Sequence, residues 1–224
     1  MKYLHLPVLI INFKTYKQGT GKNAEKLAMI CAEIAKKTKK SIAIAVQPSD
    51  IYRIAHKVHI PVFSQHMDPV KYGANTGHLL PEDIKENGAI GVLLNHSEDQ
   101  IPMKMLYESI KRARELELIS LVCANTPETA ERIARYKPDI IAVEPPELIG
   151  GDISVSNAKP EVITKTIKKV HKVKKIPVLC GAGVKTKDDI KKAIKLGSRG
   201  VLLASGIVLA KNPAKLLKKL VSVM

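Results

Sequence analysis

Tryptophan is missing from this sequence of 224 residues, phenylalanine occurs only twice and tyrosine six times. The shortage of flat side chains matters because the chain carries a formal charge of +16. Proteins that bind nucleic acid gather cations on one face and interleave aromatics that stack on bases. Here the lysines fall in "AKKTKK", "KTIKKVHKVKK", "DDIKKAIK" and "LLKKL". Those are the polar faces and last turns of expected helices, where cations complement the helix dipole. No nucleic-acid partner is expected, and the surplus reads as solvated helix surface whose field would also attract an anionic substrate.

Cysteine is scarce as well. Cys31, Cys123 and Cys180 are an odd number, widely spaced, with no CxxC or Cys/His ligand pattern, so reduced thiols are expected rather than disulfides or a metal site. No apolar run approaches the ~20 residues of a membrane span. The opening "MKYLHLPVLIINFK" has no long apolar h-region and no small-residue cleavage site, which predicts the first strand of a cytoplasmic protein without a membrane partner. No Ser/Pro-rich linker or change of composition divides the chain, so residues 1–224 are expected to form one domain.

What is present is an alternation. Strand-like runs at 7–13, 41–46, 60–65, 89–95, 118–124, 139–144, 176–181 and 199–204 are separated by helical patterns, from "NAEKLAMICAEIAKKTKK" to the closing "NPAKLLKKLVSV". Continuous apolar strands of this kind are buried on both faces. The class is α/β, and eight βα units predict a single (β/α)8 barrel of parallel strands with outer helices. An open doubly wound sheet is the alternative, weakened because no G-x-G-x-x-G follows the first strand. "GAIGVLLNHS" (88–97) and "GSRGVLLASG" (197–206) share Gly, Gly, Val, Leu and Leu in register, a hint of a barrel built from two halves.

Barrels of this type gather their chemistry at the C-terminal ends of the strands. Strand one offers Asn12 and Lys14, two residues apart and so on one side if the strand stays extended. Strand four offers Asn95, His96 and Glu98, and strand six ends at Glu144. Singly, each has a plain alternative: a surface lysine, a satisfied core histidine, an N-cap or ion-pair carboxylate. Their conjunction at three strand ends is the stronger signal. Gly181, Gly183, Ala204, Ser205 and Gly206 leave backbone amides unobstructed after strands seven and eight, where an anion can be held, although tight turns would need the same residues.

The motifs "NFK", "NHSE", "VEPPELIG", "CGAGV" and "LLASG", in this order, resemble those of triosephosphate isomerases over nearly the whole chain. The resemblance implies a TIM barrel and the interconversion of D-glyceraldehyde 3-phosphate and dihydroxyacetone phosphate, with no metal or organic cofactor. It implies Glu144 as the base, His96 as the electrophile, Lys14 as the cation beside the substrate with Asn12 as its hydrogen-bonding neighbour, and Glu98 as a supporting carboxylate. Amides at Ile149, Gly150, Gly183, Ala204 and Ser205 would hold the phosphate, and Gly181 belongs to the same "CGAGV" stretch. Pro145 and Pro146 would stiffen one hinge of a closing lid, and Gly150 and Gly151 would free the other.

The short chain, "PPELIGG", Gly183 and Ala204-Ser205 depart from the bacterial and eukaryotic pattern and look like the archaeal branch. That likeness implies a homo-oligomer, a tetramer favoured over a dimer, with "SQHMDPVKYGANTGHLLPED" (64–83) as the loop that enters a neighbour. Another phosphate-binding barrel enzyme, such as an indole-glycerol- or thiamine-phosphate synthase, would share the anion site but not call for this Lys, His and Glu set.

Overall fold

Runs such as "VLII" and "SIAIAV" are apolar or small at every position, so they can bury both faces. In the computed structural model, which describes residues 4–145, 156, 159–181 and 183–224, they do so by closing on themselves. The strands are β1 (Val8–Asn12), β2 (Ser41–Val46), β3 (Val62–Ser64), β4 (Gly91–Leu94), β5 (Ile119–Ala124), β6 (Ile140–Val143), β7 (Val178–Cys180) and β8 (Gly200–Leu203). Each pairs in parallel with the next, and β8 returns to β1 with Val8 opposite Gly200. The closed (β/α)8 barrel replaces the open-sheet alternative. Most strands are shorter than the apolar runs that announce them, because pairing ends where the chain turns into the mouth.

The helices are α1 (Gly21–Thr38), α2 (Ile51–Ala55), α3 (Pro81–Glu86), α4 (Met103–Glu115), α5 (Pro127–Ala134), α6 (Pro160–Val173), α7 (Lys187–Lys195), α8 (Ser205–Val208) and α9 (Pro213–Val221). Proline at the first position starts α3, α5, α6 and α9, where its missing N–H costs nothing and its φ is already helical. A capping box starts α7: the Thr186 hydroxyl accepts the Asp189 N–H at 3.1 Å, and the Asp189 carboxylate accepts the Thr186 N–H at 2.8 Å. No helix among the described residues is long and apolar enough to cross a membrane.

Strand side chains alternate between two cores. Leu9, Ile11, Ile42, Ile44 and Val46 point outward under the helices, while Val8, Ile10, Ala43, Ala45, Phe63 and Leu202 fill the barrel. Space inside is tight. A Cβ on Gly91 would sit 2.4 Å from the ring of Phe63, so the glycine makes room for the one aromatic in the interior cluster.

The internal echo of the sequence has a structural counterpart. "GVLL" forms all of β4 and all of β8, and the glycines three residues ahead, Gly88 and Gly197, turn with φ of +100° and +97°.

Candidate active site

Glu144 follows β6 directly and is 5% exposed. Its backbone continues the ladder, with the Glu144 N–H donating to Ala124 O at 2.9 Å, so the side chain is aimed by the sheet rather than by a loose loop. Oε2 is buried and has no hydrogen-bond partner, and Nε2 of His96 stands 3.7 Å from it. A buried carboxylate oxygen without a donor carries a desolvation cost of about 1–3 kcal/mol, and such groups concentrate where a reacting atom is meant to sit.

His96 is held by its own turn. The Glu98 N–H donates to Nδ1 at 3.2 Å. An accepting Nδ1 makes the ring a neutral imidazole with its proton on Nε2, on the side of Glu144. Asn95, just before it, has φ of +56°, a region asparagine tolerates. Its amide closes the turn, donating to Cys123 O at 3.0 Å and accepting from the Ile101 N–H at 3.1 Å. Asn95 is thus a brace.

Lys14 meets the same centre from β1, though not in the expected way. The strand ends at Asn12, Phe13 is fully buried, and Lys14 takes φ of +49°. Asn12 and Lys14 share a side of the mouth through a turn, not through strand alternation. Three contacts hold that left-handed backbone: Asn12 Oδ1 accepts the Lys14 N–H at 3.0 Å, and Gln65 Nε2 donates to Lys14 O at 3.1 Å and to Ala45 O at 3.2 Å. The ammonium, on a side chain only 12% exposed, lies 2.6 Å from Glu98 Oε1. Glu98 therefore sets the His96 tautomer with its backbone and fixes Lys14 with its side chain.

These groups share one cleft of about 520 Å³, counting the space open to solvent. Asn12, Lys14, His96 and Glu144 line it together with Gly183, Val184, Lys185, Ala204, Ser205 and Gly206. Gly183 turns with φ of +65°, a backbone that a side chain would strain. Ser205 and Gly206 open the one-turn α8, where the first N–H groups have no acceptor within the helix.

Gly181 takes another place. A Cβ there would lie 2.4 Å from Glu144 Cγ and 2.8 Å from Oε1, so this glycine is the floor beneath the carboxylate. Pro146, Ile149, Gly150 and Gly151 lie outside the described residues.

Three features escaped the sequence reading. Cys123, on β5, is fully buried beside Glu144, and its thiol is pushed well above the ordinary range by burial, then by the charge and hydrogen bonding of Glu144. Gln65 braces Lys14. Lys185 lines the cleft, one of 37 lysines and arginines in the sequence. None carries a local motif, and only the closure of the barrel brings them to the mouth. No group of three His, Cys, Asp or Glu among the described residues is placed to hold a metal ion.

The family model described as triosephosphate isomerase matches residues 7–221. The chain belongs to the triosephosphate isomerase family. A protein of that name from Methanobacterium bryantii is 50% identical, with 96% of each chain covered. One from Methanothermus fervidus is 46% identical over 97% of this chain and 99% of its own. Among solved structures, triosephosphate isomerase from Bartonella henselae superposes with a TM-score of 0.74 at 24% identity, covering 97% of this chain and 98% of that one, a likeness of fold. Membership in the triosephosphate isomerase family sets aside the synthase alternative.

Proposed function

We propose that the chain interconverts D-glyceraldehyde 3-phosphate and dihydroxyacetone phosphate, with Glu144 moving the proton between the two carbons. Similarity to triosephosphate isomerases along almost the whole chain supports the reaction. The observation that carries the residue roles is the buried Oε2 of Glu144 facing Nε2 of His96 at 3.7 Å. A base and a neutral donor on opposite sides of a narrow gap match a substrate carbon and its carbonyl oxygen. The pairing of glutamate base and neutral histidine is the known chemistry of this family.

In the forward step Glu144 takes the proton from the carbon next to the carbonyl. The electron pair of that C–H bond becomes the C=C bond of an enediolate, and the carbonyl oxygen takes up negative charge. Nε2–H of His96 donates to that oxygen, and the Lys14 ammonium adds a positive charge in the same cleft. His96 passes its Nε2 proton to the former carbonyl oxygen and takes the proton of the neighbouring hydroxyl in return, so the negative charge moves to that second oxygen. As it collapses to the new carbonyl, the C=C electron pair takes the proton back from Glu144 at the neighbouring carbon. General acid–base help of this kind is worth about 10²–10⁴-fold, and fixed donors aimed at the developing oxyanion add a share of comparable size.

The wall of Gly183, Ala204 and Ser205 takes the phosphate on its amides, joined by Ile149 and Gly150. Glu98 supports both His96 and Lys14. The segment after Glu144 acts as the lid: closure expels water and protects the enediolate. A coupled assay on D-glyceraldehyde 3-phosphate tests the reading, and a well-folded chain without turnover would overturn it.

The assembly belongs to the same proposal. The stretch after β3 is organised before any partner arrives. Asp68 Oδ2 accepts the Leu79 N–H at 2.7 Å, and His66 and His78 stand 3.5 and 3.4 Å from its carboxylate. At the tip Tyr72 is 72% exposed. An ordered loop that presents an aromatic is suited to a pocket in a neighbouring copy, and we favour a tetramer over a dimer. A cytoplasmic, archaeal setting agrees with three buried free thiols and with methanogen relatives. Light scattering on the purified protein tests the assembly.

A further inference from the structure

Asn95 stands between the two groups that face each other at the mouth. The paired residues of β4 and β5 end with Leu94 opposite Val122. One residue later the backbone of β4 leaves the sheet, because Asn95 turns with φ of +56°. Its side chain carries the contact between the strands one step further: Nδ2 donates to Cys123 O at 3.0 Å. The other end of the same amide accepts the Ile101 N–H at 3.1 Å, across the turn that holds His96.

On the β5 side the same stretch reaches Glu144. Cys123 is followed by Ala124, whose carbonyl accepts the Glu144 N–H at 2.9 Å. The path from His96 to Glu144 is thus a peptide bond, the Asn95 amide, a second peptide bond and one ladder hydrogen bond. Asn95, Cys123 and Glu144 also line one narrow recess of about 150 Å³, counting the space open to solvent, so the link runs beside the carboxylate rather than around it.

Three demands meet at this position. The residue must hold a left-handed backbone, which glycine, asparagine and aspartate do at low cost. It must donate toward β5, and it must accept from Ile101. Glycine does neither, and aspartate would set a carboxylate oxygen against the Cys123 carbonyl. Of the three, asparagine alone has a donor and an acceptor in one plane.

We infer that Asn95 is a positioning residue for the isomerisation: it fastens the His96 turn to the strand end that holds the Glu144 backbone, and so sets Nε2 of His96 against Oε2 of Glu144. The inference rests on reading His96 as the donor and Glu144 as the base.

The experiment measures kcat and KM on D-glyceraldehyde 3-phosphate, inhibition by the anionic inhibitor 2-phosphoglycolate, and thermal melting. It compares the wild type with Asn95→Gly, Asn95→Asp, His96→Ala, the double variant Asn95→Gly/His96→Ala, and Ser198→Ala. Ser198 is a brace of similar kind at the opposite end of the barrel, its hydroxyl 3.2 Å from Val178 O and 2.6 Å from Gly200 O. Asn95→Gly keeps the backbone turn and should lower kcat about 10- to 100-fold, as a shift of about 1 Å at a catalytic group does, with KM and inhibition changed by less than about fivefold. Asn95→Asp keeps the turn and the acceptor, so it isolates the bond to Cys123 and should lose a similar factor. In the His96→Ala background Asn95→Gly should cost less than about threefold more, because the group it positions is already gone. Ser198→Ala should melt lower but hold kcat within about twofold. An active wild type with kcat of either Asn95 variant within about threefold of it overturns the positioning role alone. Losses that multiply in the double variant do the same, as does a kcat that falls alike in Ser198→Ala. A wild type without turnover overturns the reading of the site and the inference with it.

Discussion

Nε2 of His96 lies 3.7 Å from Oε2 of Glu144, and on the far side of the ring Nδ1 accepts the Glu98 N–H at 3.2 Å. The second contact decides the first: a ring nitrogen that receives a backbone proton cannot carry one, so the imidazole presents N–H toward the carboxylate. His96→Gln keeps a side-chain donor but gives up the fixed ring direction. Its kcat is expected to fall about 10²-fold or more, with KM changing much less, as steady-state kinetics would show.

Glu144→Gln removes the carboxylate proposed as the base and nothing else of comparable size. Turnover should drop about 10²–10⁴-fold. Because Oε2 is buried without a partner, losing its charge should leave the melting temperature at or above the wild-type value, as expected where strain is held for function. A variant that melts several degrees lower, by calorimetry, would mean that the carboxylate stabilises the fold.

Glu98 separates a backbone role from a side-chain role. Glu98→Gln keeps the N–H that fixes His96 but takes away the charge opposite Lys14. The Glu98 side chain is 57% exposed, so global stability should change by less than about 1 kcal/mol. Activity is expected to fall about tenfold, mainly in kcat/KM, and far less than in Lys14→Met, which should lose turnover altogether. Equal losses in the two variants would show that Lys14 works only through Glu98.

Much of this was legible in the sequence, and the limits have physical causes. Eight apolar runs and the repeated "GVLL" announced the strands because a residue buried on both faces leaves its mark locally. That Glu144, His96 and Lys14 meet in one cleft could be read ahead, because the strand ends of a barrel converge on one mouth. The backbone of Lys14 could not be foreseen: a lysine at φ of +49° depends on Asn12 and Gln65 closing around it. The work of Gly181 was equally hidden, since a glycine looks the same whether it frees an amide or clears space for a neighbour's side chain. Lys185 was lost among like charges, and only the cleft sorted it from helix surface.

Gly181→Ala tests that clearance. Its added Cβ would meet Glu144 Cγ at 2.4 Å, too close for either atom to stay in place. Glu144 is the side able to move, because Gly181 is tied to β6 through its N–H to Val143 O at 3.0 Å. A displacement of about 1 Å at a catalytic group costs on the order of 10²-fold in rate. The expected result is a kcat lowered by about that factor with 2-phosphoglycolate still bound. If inhibitor affinity fell and kcat held, Gly181 would belong to the phosphate wall instead.

The three thiols predict how the fold responds to alkali. Burial pushes Cys31 up to about 12, and Cys123 and Cys180 are raised as well, each chiefly by burial. In the unfolded chain a thiol ionises near pH 8.5. Between that pH and the folded value the unfolded state has lost a proton that the native state keeps, so stability falls as pH rises, by at most ~1.4 kcal/mol per pH unit for each thiol. Below pH 8 both states hold the proton and the effect vanishes. Thermal melts should therefore show little thiol-linked change between pH 7 and pH 8 and a steep fall between pH 9 and pH 11. Cys31→Ala should lower the plateau, because it opens a cavity, yet flatten the alkaline slope. An unchanged slope in that variant would place the alkaline sensitivity elsewhere in the chain. The folded enzyme should also resist iodoacetamide at pH 8 and react once urea has unfolded it, since the attacking species is the thiolate.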